Sequence, residues 1–137
     1  MTRHVLLLSL IVIFPYSTAS FADNEDTIKY RQHLMNILSL NLKSSSLILK
    51  GKIKADIAGH NAAILDSSYK LSSLFPEGSD FGDTDAKEAV WTQNEKFNSE
   101  LLKFNNSAIA FNKEPSMQTF SDVTKSCKSC HKAFREK

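Results

Sequence analysis

Phe120-Ser121-Asp122-Val123-Thr124-Lys125-Ser126-Cys127-Lys128-Ser129-Cys130-His131-Lys132-Ala133-Phe134 lies at the C-terminal end of the chain. Its apolar and sulfur-bearing residues fall on one side of a helix. Phe120, Val123, Cys127, Cys130, His131 and Phe134 recur at spacings of three and four, the period that puts side chains on a single face. Inside it sits Cys-x-x-Cys-His, the attachment pattern of a c-type haem. Two thiols add to the vinyl groups of the macrocycle as thioethers, and the neighbouring imidazole becomes the proximal iron ligand. On a helix all three groups address one flat surface. Cys127 and Cys130 are therefore assigned to covalent haem attachment and His131 to the iron.

Two cysteines have rival readings, and the start of the chain bears on them. Residues 1–22 have a short basic head (Arg3, His4), an apolar run from Val5 to Phe14, and a small-residue end at Ser20-Phe21-Ala22. This is the pattern of a cleaved export leader, too short to span a bilayer. Cleavage after Ala22 leaves residues 23–137 as one domain. In an exported protein a bare cysteine pair is usually a disulfide or a redox dithiol. A dithiol site of the thioredoxin type belongs beside a βαβ pattern, and no strand pattern is visible. Structural zinc takes four Cys or His ligands, whereas the pentad offers three crowded ones. Haem c, one per chain, is the cofactor expected.

Removing residues 1–22 takes away one basic residue, Arg3, from 17 basic and 15 acidic, and leaves a net charge of about +1. That balance gives no reason to expect nucleic acid as a partner. No other apolar run is long enough to insert in a membrane.

Three further stretches carry helical stripes. Ile28, Arg31, Met35, Leu38, Leu42, Ser45 and Leu49 mark a helix over about 25–50, with acids at its start and Gly51 at its end. Ile57, Ile64, Leu71 and Phe75 mark a second over about 54–74, stopped by Pro76. A turn-rich loop follows over 76–85. Val90, Phe97, Leu101, Phe104, Ala108 and Phe111 mark a third over about 87–112. The fourth starts near Pro115, a residue favoured in a first turn. The expected fold class is all-α, an antiparallel four-helix bundle holding one haem between facing helices.

Few residues follow His131, so a sixth iron ligand would have to come from upstream. Met117 is fourteen residues back on the same helix, about 21 Å along the axis, and cannot reach the other haem face. Met35, mid-stripe on the first helix, is the geometric candidate among the methionines. His33 falls on the solvent side, and His60 reads as a surface or half-buried histidine. Arg31 is a cation on an apolar stripe and needs a partner. A haem propionate would suit its bidentate donors, while snorkelling to the edge or pairing with an acid are the alternatives. Arg135, one turn beyond His131, either flanks the proximal imidazole or is plainly exposed. Lys125, Lys128 and Lys132 read as a solvated basic face opposite the haem-bearing side, with a docking patch for an acidic redox partner as the alternative. Asp80, Asp83 and Asp85 read as loop solvation, since they lack calcium-loop spacing. Trp91 reads as core packing or a lid over the haem edge.

Taken together, Tyr30-Arg31-Gln32-His33-Leu34-Met35, the run Phe75-Pro76-Glu77-Gly78-Ser79 leading to Ala89-Val90-Trp91 and Phe97, and the terminal Cys127–Arg135 segment resemble the class II c-type cytochromes. These are the cytochrome c prime family and its low-spin relatives. The resemblance implies a four-helix bundle with one covalent haem, often a homodimer, in the periplasm of a Gram-negative bacterium. By position it implies that Arg31 holds a propionate and Arg135 is the basic residue near the proximal histidine. At the position of Met35 the family divides. Some members use a methionine as sixth ligand and carry electrons between redox partner proteins. Others leave the iron five-coordinate and high-spin, and bind nitric oxide or carbon monoxide. The Phe-Pro-x-Gly-Ser loop looks more like the six-coordinate branch, so electron carriage with His131 and Met35 as axial ligands is the leading expectation and gas binding the alternative. Enzymatic activity is not expected, because no distal His and Arg pair accompanies the iron.

Overall fold

A computed structural model describes residues 19–136, with side chains from residue 24. The leader expected over 1–22 lies almost wholly outside the described residues. Helix α1 runs Ala19–Leu49, α2 Ala58–Lys70, α3 Ala89–Thr92, α4 Asn94–Lys113 and α5 Met117–Phe134. The long helices pack in sequence, α1 on α2, α2 on α4 and α4 on α5. This is the antiparallel four-helix bundle expected.

Local chemistry sets most of the boundaries. Gly51 ends α1 at φ +66, a conformation glycine adopts without a Cβ penalty. Its N–H donates to Ile48 O at 2.9 Å and the N–H of Lys52 to Leu47 O at 2.9 Å, which satisfies two terminal carbonyls in the Schellman manner. Helix α2 starts later than its apolar pattern suggests, because Asp56 Oδ1 accepts the N–H of Ala58 at 3.0 Å and holds a turn there. It tightens into a 3₁₀ turn over Leu71–Ser73 ahead of Pro76. Helix α5 is capped by Ser116, whose hydroxyl accepts from the Thr119 N–H while Thr119 Oγ1 accepts from the Ser116 N–H. Pro115 therefore precedes the cap, two positions before Met117, the first residue of the turn it was assigned to.

The third helix is not continuous. Gln93 leaves the helical region at φ −119, ψ 45 and separates α3 from α4. The break follows from tertiary bonds that pull α3 aside. The Trp91 indole N–H donates to Pro76 O at 2.9 Å, and the N–H of Lys87 donates to Phe134 O at 3.0 Å. A single antiparallel bridge, Ala86 with Arg135, ties the same segment to the chain end.

Two apolar clusters fill the bundle. Leu34, Leu38, Ile64, Phe104, Phe111 and Val123 belong to the larger. Val90, Phe97 and Phe134 form the smaller, near the C-terminus. There Phe97 meets Phe134 edge-on at 5.2 Å and Phe75 at 4.7 Å. Leu34, absent from the sequence stripe, is as buried as Leu38. A core-facing helix buries an arc of about 100° or more, wide enough to take in both.

Candidate functional site

Cys127, Cys130 and His131 lie in the last turns of α5, where the i, i+3, i+4 spacing turns all three toward the interior. They line a cavity of about 820 Å³, toward the upper end of the size of small-molecule sites. Its far wall is α1, with Met35, Leu38 and Leu42 facing it. Phe97, Leu101 and Phe104 of α4 form the floor, and Phe75 closes one end. The cavity occupies the side of the bundle where α1 and α5 face one another.

The donor chemistry fits a haem c. Neither cysteine is in a disulfide. Burial pushes both thiols up to about 11, the opposite of the depressed value a redox dithiol requires. Burial first, and then the Arg135 charge, hold His131 below its ordinary value, so the imidazole is neutral and free to ligate. The walls are apolar, as a flat macrocycle needs. Cys127, Cys130 and His131 would hold such a group, which would supply a redox-active iron.

Met35 is half-buried and lines the cavity, as its stripe position implies. Met117 is 49% exposed and lies outside it. His33 is exposed. His60 shares a hydrogen bond of 2.8 Å with Asn41 Oδ1 and faces α1, away from the cavity.

Arg31 is 4% exposed, so it does not snorkel, and among the described residues it has no carboxylate partner. Its guanidinium is held by the loop instead. Nη1 donates to Leu74 O at 3.0 Å and Ser79 Oγ at 3.2 Å. Nη2 donates to Ser79 O at 3.2 Å and Thr84 Oγ1 at 2.8 Å. The plane stacks over Phe75 at 4.5 Å. Desolvation lowers the pKa of this group, yet arginine stays charged. Arg31 also borders the cavity, which places an unneutralised cation at its rim. Of these partners, Ser79 and Thr84 had no signal in the sequence beyond the turn-rich composition of residues 76–85, and Leu74, at the end of the second helix, had none.

Two sequence readings are corrected here, those of Asp85 and of the α5 lysines, and the alternatives for Trp91 are decided. Asp85 is more than loop solvation, for its Oδ2 accepts from Nε and Nη2 of Arg135 at 3.3 and 2.9 Å. That bond fixes Arg135 at the rim beside His131. Lys128 and Lys132 are not opposite the haem-bearing side. With Lys87 and Arg135 they line a second opening of about 570 Å³ that also reaches Cys127 and His131. At 100° per residue Lys128 lies only about 60° around α5 from His131, so flank and site meet at a corner. Lys125, further round, pairs with Asp122 at 3.5 Å. Trp91 packs at 6.4 Å behind Phe75, a core role and not a lid.

One carboxylate went unnoticed in the sequence. Glu100 is 8% exposed and takes the Lys103 ammonium at 2.6 Å. That bond, followed by the nearby Ser129 hydroxyl, keeps its pKa below the usual range despite burial. Its second oxygen is buried with no hydrogen bond, and its charge adds to the upward push on the Cys130 thiol.

The cytochrome c' family model matches residues 26–135. Among curated relatives, cytochrome c' of Rhodopseudomonas palustris is 34% identical over 121 residues, spanning 82% of this chain and 83% of its own. Cytochrome c prime from Shewanella frigidimarina superposes with a TM-score of 0.75 at 28% identity, covering 83% of this chain and 97% of that one. A nitric oxide complex of a mutant cytochrome c prime from Alcaligenes xylosoxidans gives 0.75 at 26% identity, covering 85% and 99%. A bundle with a Cys-x-x-Cys-His helix facing an apolar cavity, matched over nearly all the described residues, places the chain in the cytochrome c' family.

Proposed function

We propose that this protein binds a diatomic gas, nitric oxide or carbon monoxide, at a haem iron whose only protein ligand is His131. The carrying observation is the distal wall. Met35 is packed among Leu38 and Leu42 against the apolar core, as a side chain that guards an open iron position would be. The relative from Alcaligenes xylosoxidans, whose structure holds nitric oxide, supports the same reading. His131 positions the iron from α5, and Met35 sets how much room a gas molecule meets. The apolar walls exclude water and charged ligands, so selectivity would rest on size and polarity.

A second reading, electron carriage with Met35 as sixth ligand, draws on one fact. Met35 is the one methionine on the cavity wall among the described residues. Optical spectra of the haem-loaded protein separate the two. Gas binding predicts high-spin ferric and ferrous bands that shift at once with carbon monoxide. Met35→Ala should leave those bands in place and raise the carbon monoxide association rate by about tenfold, equivalent to about 1.4 kcal/mol of barrier. Low-spin bands that resist carbon monoxide in the parent and turn high-spin in Met35→Ala would make electron carriage the function.

We read the protein as a binding module and not an enzyme, exported to the periplasm; among the described residues no helix is long and apolar enough to cross a membrane. We also read it as a homodimer. Ile37, Leu40 and Leu47 stand 45%, 63% and 45% exposed along the outer side of α1, an apolar strip of the kind self-association covers. Leu40→Glu with Ile37→Glu is expected to halve the mass in sedimentation equilibrium while leaving the haem spectrum unchanged.

A further inference from the structure

The second opening, at the corner between α5 and the segment before α3, concentrates charge beside the cofactor site. Lys87, Lys128, Lys132 and Arg135 line it, with Glu136 as the one acid on its rim. The chain as a whole is nearly neutral, so this clustering is local. Elsewhere Lys29, Lys70, Lys103 and Lys125 each sit against an acid one turn away. Lys87, Lys128 and Lys132 have no such partner among the described residues; nor do Lys50, Lys52 and Lys54 at the other end of the bundle, but those three do not line the opening that reaches Cys127 and His131. Lys87 comes from a segment thirty residues upstream of the start of α5. It is held in place by its N–H bond to Phe134 O and by the bond from the Glu136 N–H to Asp85 O at 2.8 Å. The rim is thus a built feature of the fold.

Its position gives it a use. The same opening reaches Cys127 and His131, the residues that would join the macrocycle and its iron, so it is a short route from solvent to the cofactor. We propose that an acidic face of a one-electron redox protein docks on the Lys87, Lys128 and Lys132 rim and exchanges an electron with the haem there. The inference rests on the presence of haem c and stands whether or not the iron binds a gas. The step is a single electron passing from the partner to ferric iron. The partner is oxidised by one electron, and no bond or proton changes hands. Opposite charges steer and orient such encounters, and screening by salt weakens them.

The test uses haem-loaded protein in stopped flow at low ionic strength, with two reductants of opposite charge. One is the hydroquinone form of an acidic flavodoxin, the other the hexaammineruthenium(II) cation. Lys87→Glu/Lys128→Glu/Lys132→Glu is compared with Lys50→Glu/Lys52→Glu/Lys54→Glu, which makes the same change in net charge at the opposite end of the bundle. Lys87→Glu/Lys132→Glu serves if glutamate between the two cysteines impairs haem loading. The rim variant should be reduced by flavodoxin about tenfold more slowly than the parent, with no slowing by the ruthenium complex. The distal control should stay within about twofold of the parent for both, and added salt should erase the difference. Three results would overturn the proposal. One is equal loss of flavodoxin rate in rim and control variants. Another is equal slowing by both reductants, which would mark an altered cofactor. The third is an unchanged flavodoxin rate in the rim variant.

Discussion

Replacing Cys127 and Cys130 together by alanine is expected to yield a chain with no covalent haem and no stable fold. Loss of both thioethers should remove the haem band that survives denaturing electrophoresis. The structural consequence is larger than the chemical one. The cavity between α1 and α5 measures about 820 Å³. At about 24 cal/mol per Å³ an empty void of that size would cost roughly 20 kcal/mol. Water entering from the open side recovers part of this. Yet a third of it already matches the lower part of the range of a domain's entire stability, about 5–15 kcal/mol. The half-buried apolar walls formed by Met35, Leu42, Leu101 and Phe120 would face solvent instead of a macrocycle. Far-ultraviolet circular dichroism should show helicity reduced or lost, with cooperative thermal unfolding gone. Retention of a sharp transition near that of the haem-loaded parent would mean that the bundle closes over the void, and that the cofactor is a guest and not part of the core.

Arg31→Ala in the haem-loaded protein should cost about 3–5 kcal/mol, the range for breaking a buried charged network. Four donated bonds end on the segment 74–84, and two of the acceptors, Leu74 O and Ser79 O, are backbone carbonyls. Each buried acceptor left without a donor costs about 1–3 kcal/mol. Phe75 also loses the guanidinium stacked on it. Arg31→Lys should rescue little, since an ammonium has neither the fork nor the planar face. Urea unfolding followed by helicity gives the difference directly. Limited proteolysis at residues 77–85 should accelerate in parallel, because the loop would keep single amide bonds such as those from Gln32 and Asn24 of α1 but lose the guanidinium fork. A loss below about 1 kcal/mol would show that the loop is held by its other contacts, and would leave the propionate as the main reason for a cation at this position.

The pentad was legible because its chemistry is local. Three functional groups within five residues need only a helix to be brought to one face, and the Ser116 cap and apolar spacing provide it. Met35 was legible for a similar reason, as a period of 3.6 carries a side chain to the core whatever the core contains. The partners of Arg31 were not, since Ser79 and Thr84 lie 48 and 53 residues away and nothing in a turn-rich loop says which helix it will fold against. Nor was the break at Gln93, where the bonds of Trp91 and Lys87 to distant carbonyls override an apolar stripe that runs straight through. The placement of Lys128 was available from the helical wheel. What the wheel could not supply was Lys87, which joins the same rim from another segment.

By itself, then, the amino-acid sequence determined the number of long helices, the faces they bury, the residues that would hold a haem and the candidate on its other side. All of these depend on spacing along one helix. Only the tertiary structure decided that α1 and α5 stand apart across a cavity, that Arg31 is held by a loop, and that Lys87 meets Lys128 and Lys132 beside the cofactor site. Those depend on contacts between segments forty or more residues apart, and their geometry is set by the packing of the whole bundle.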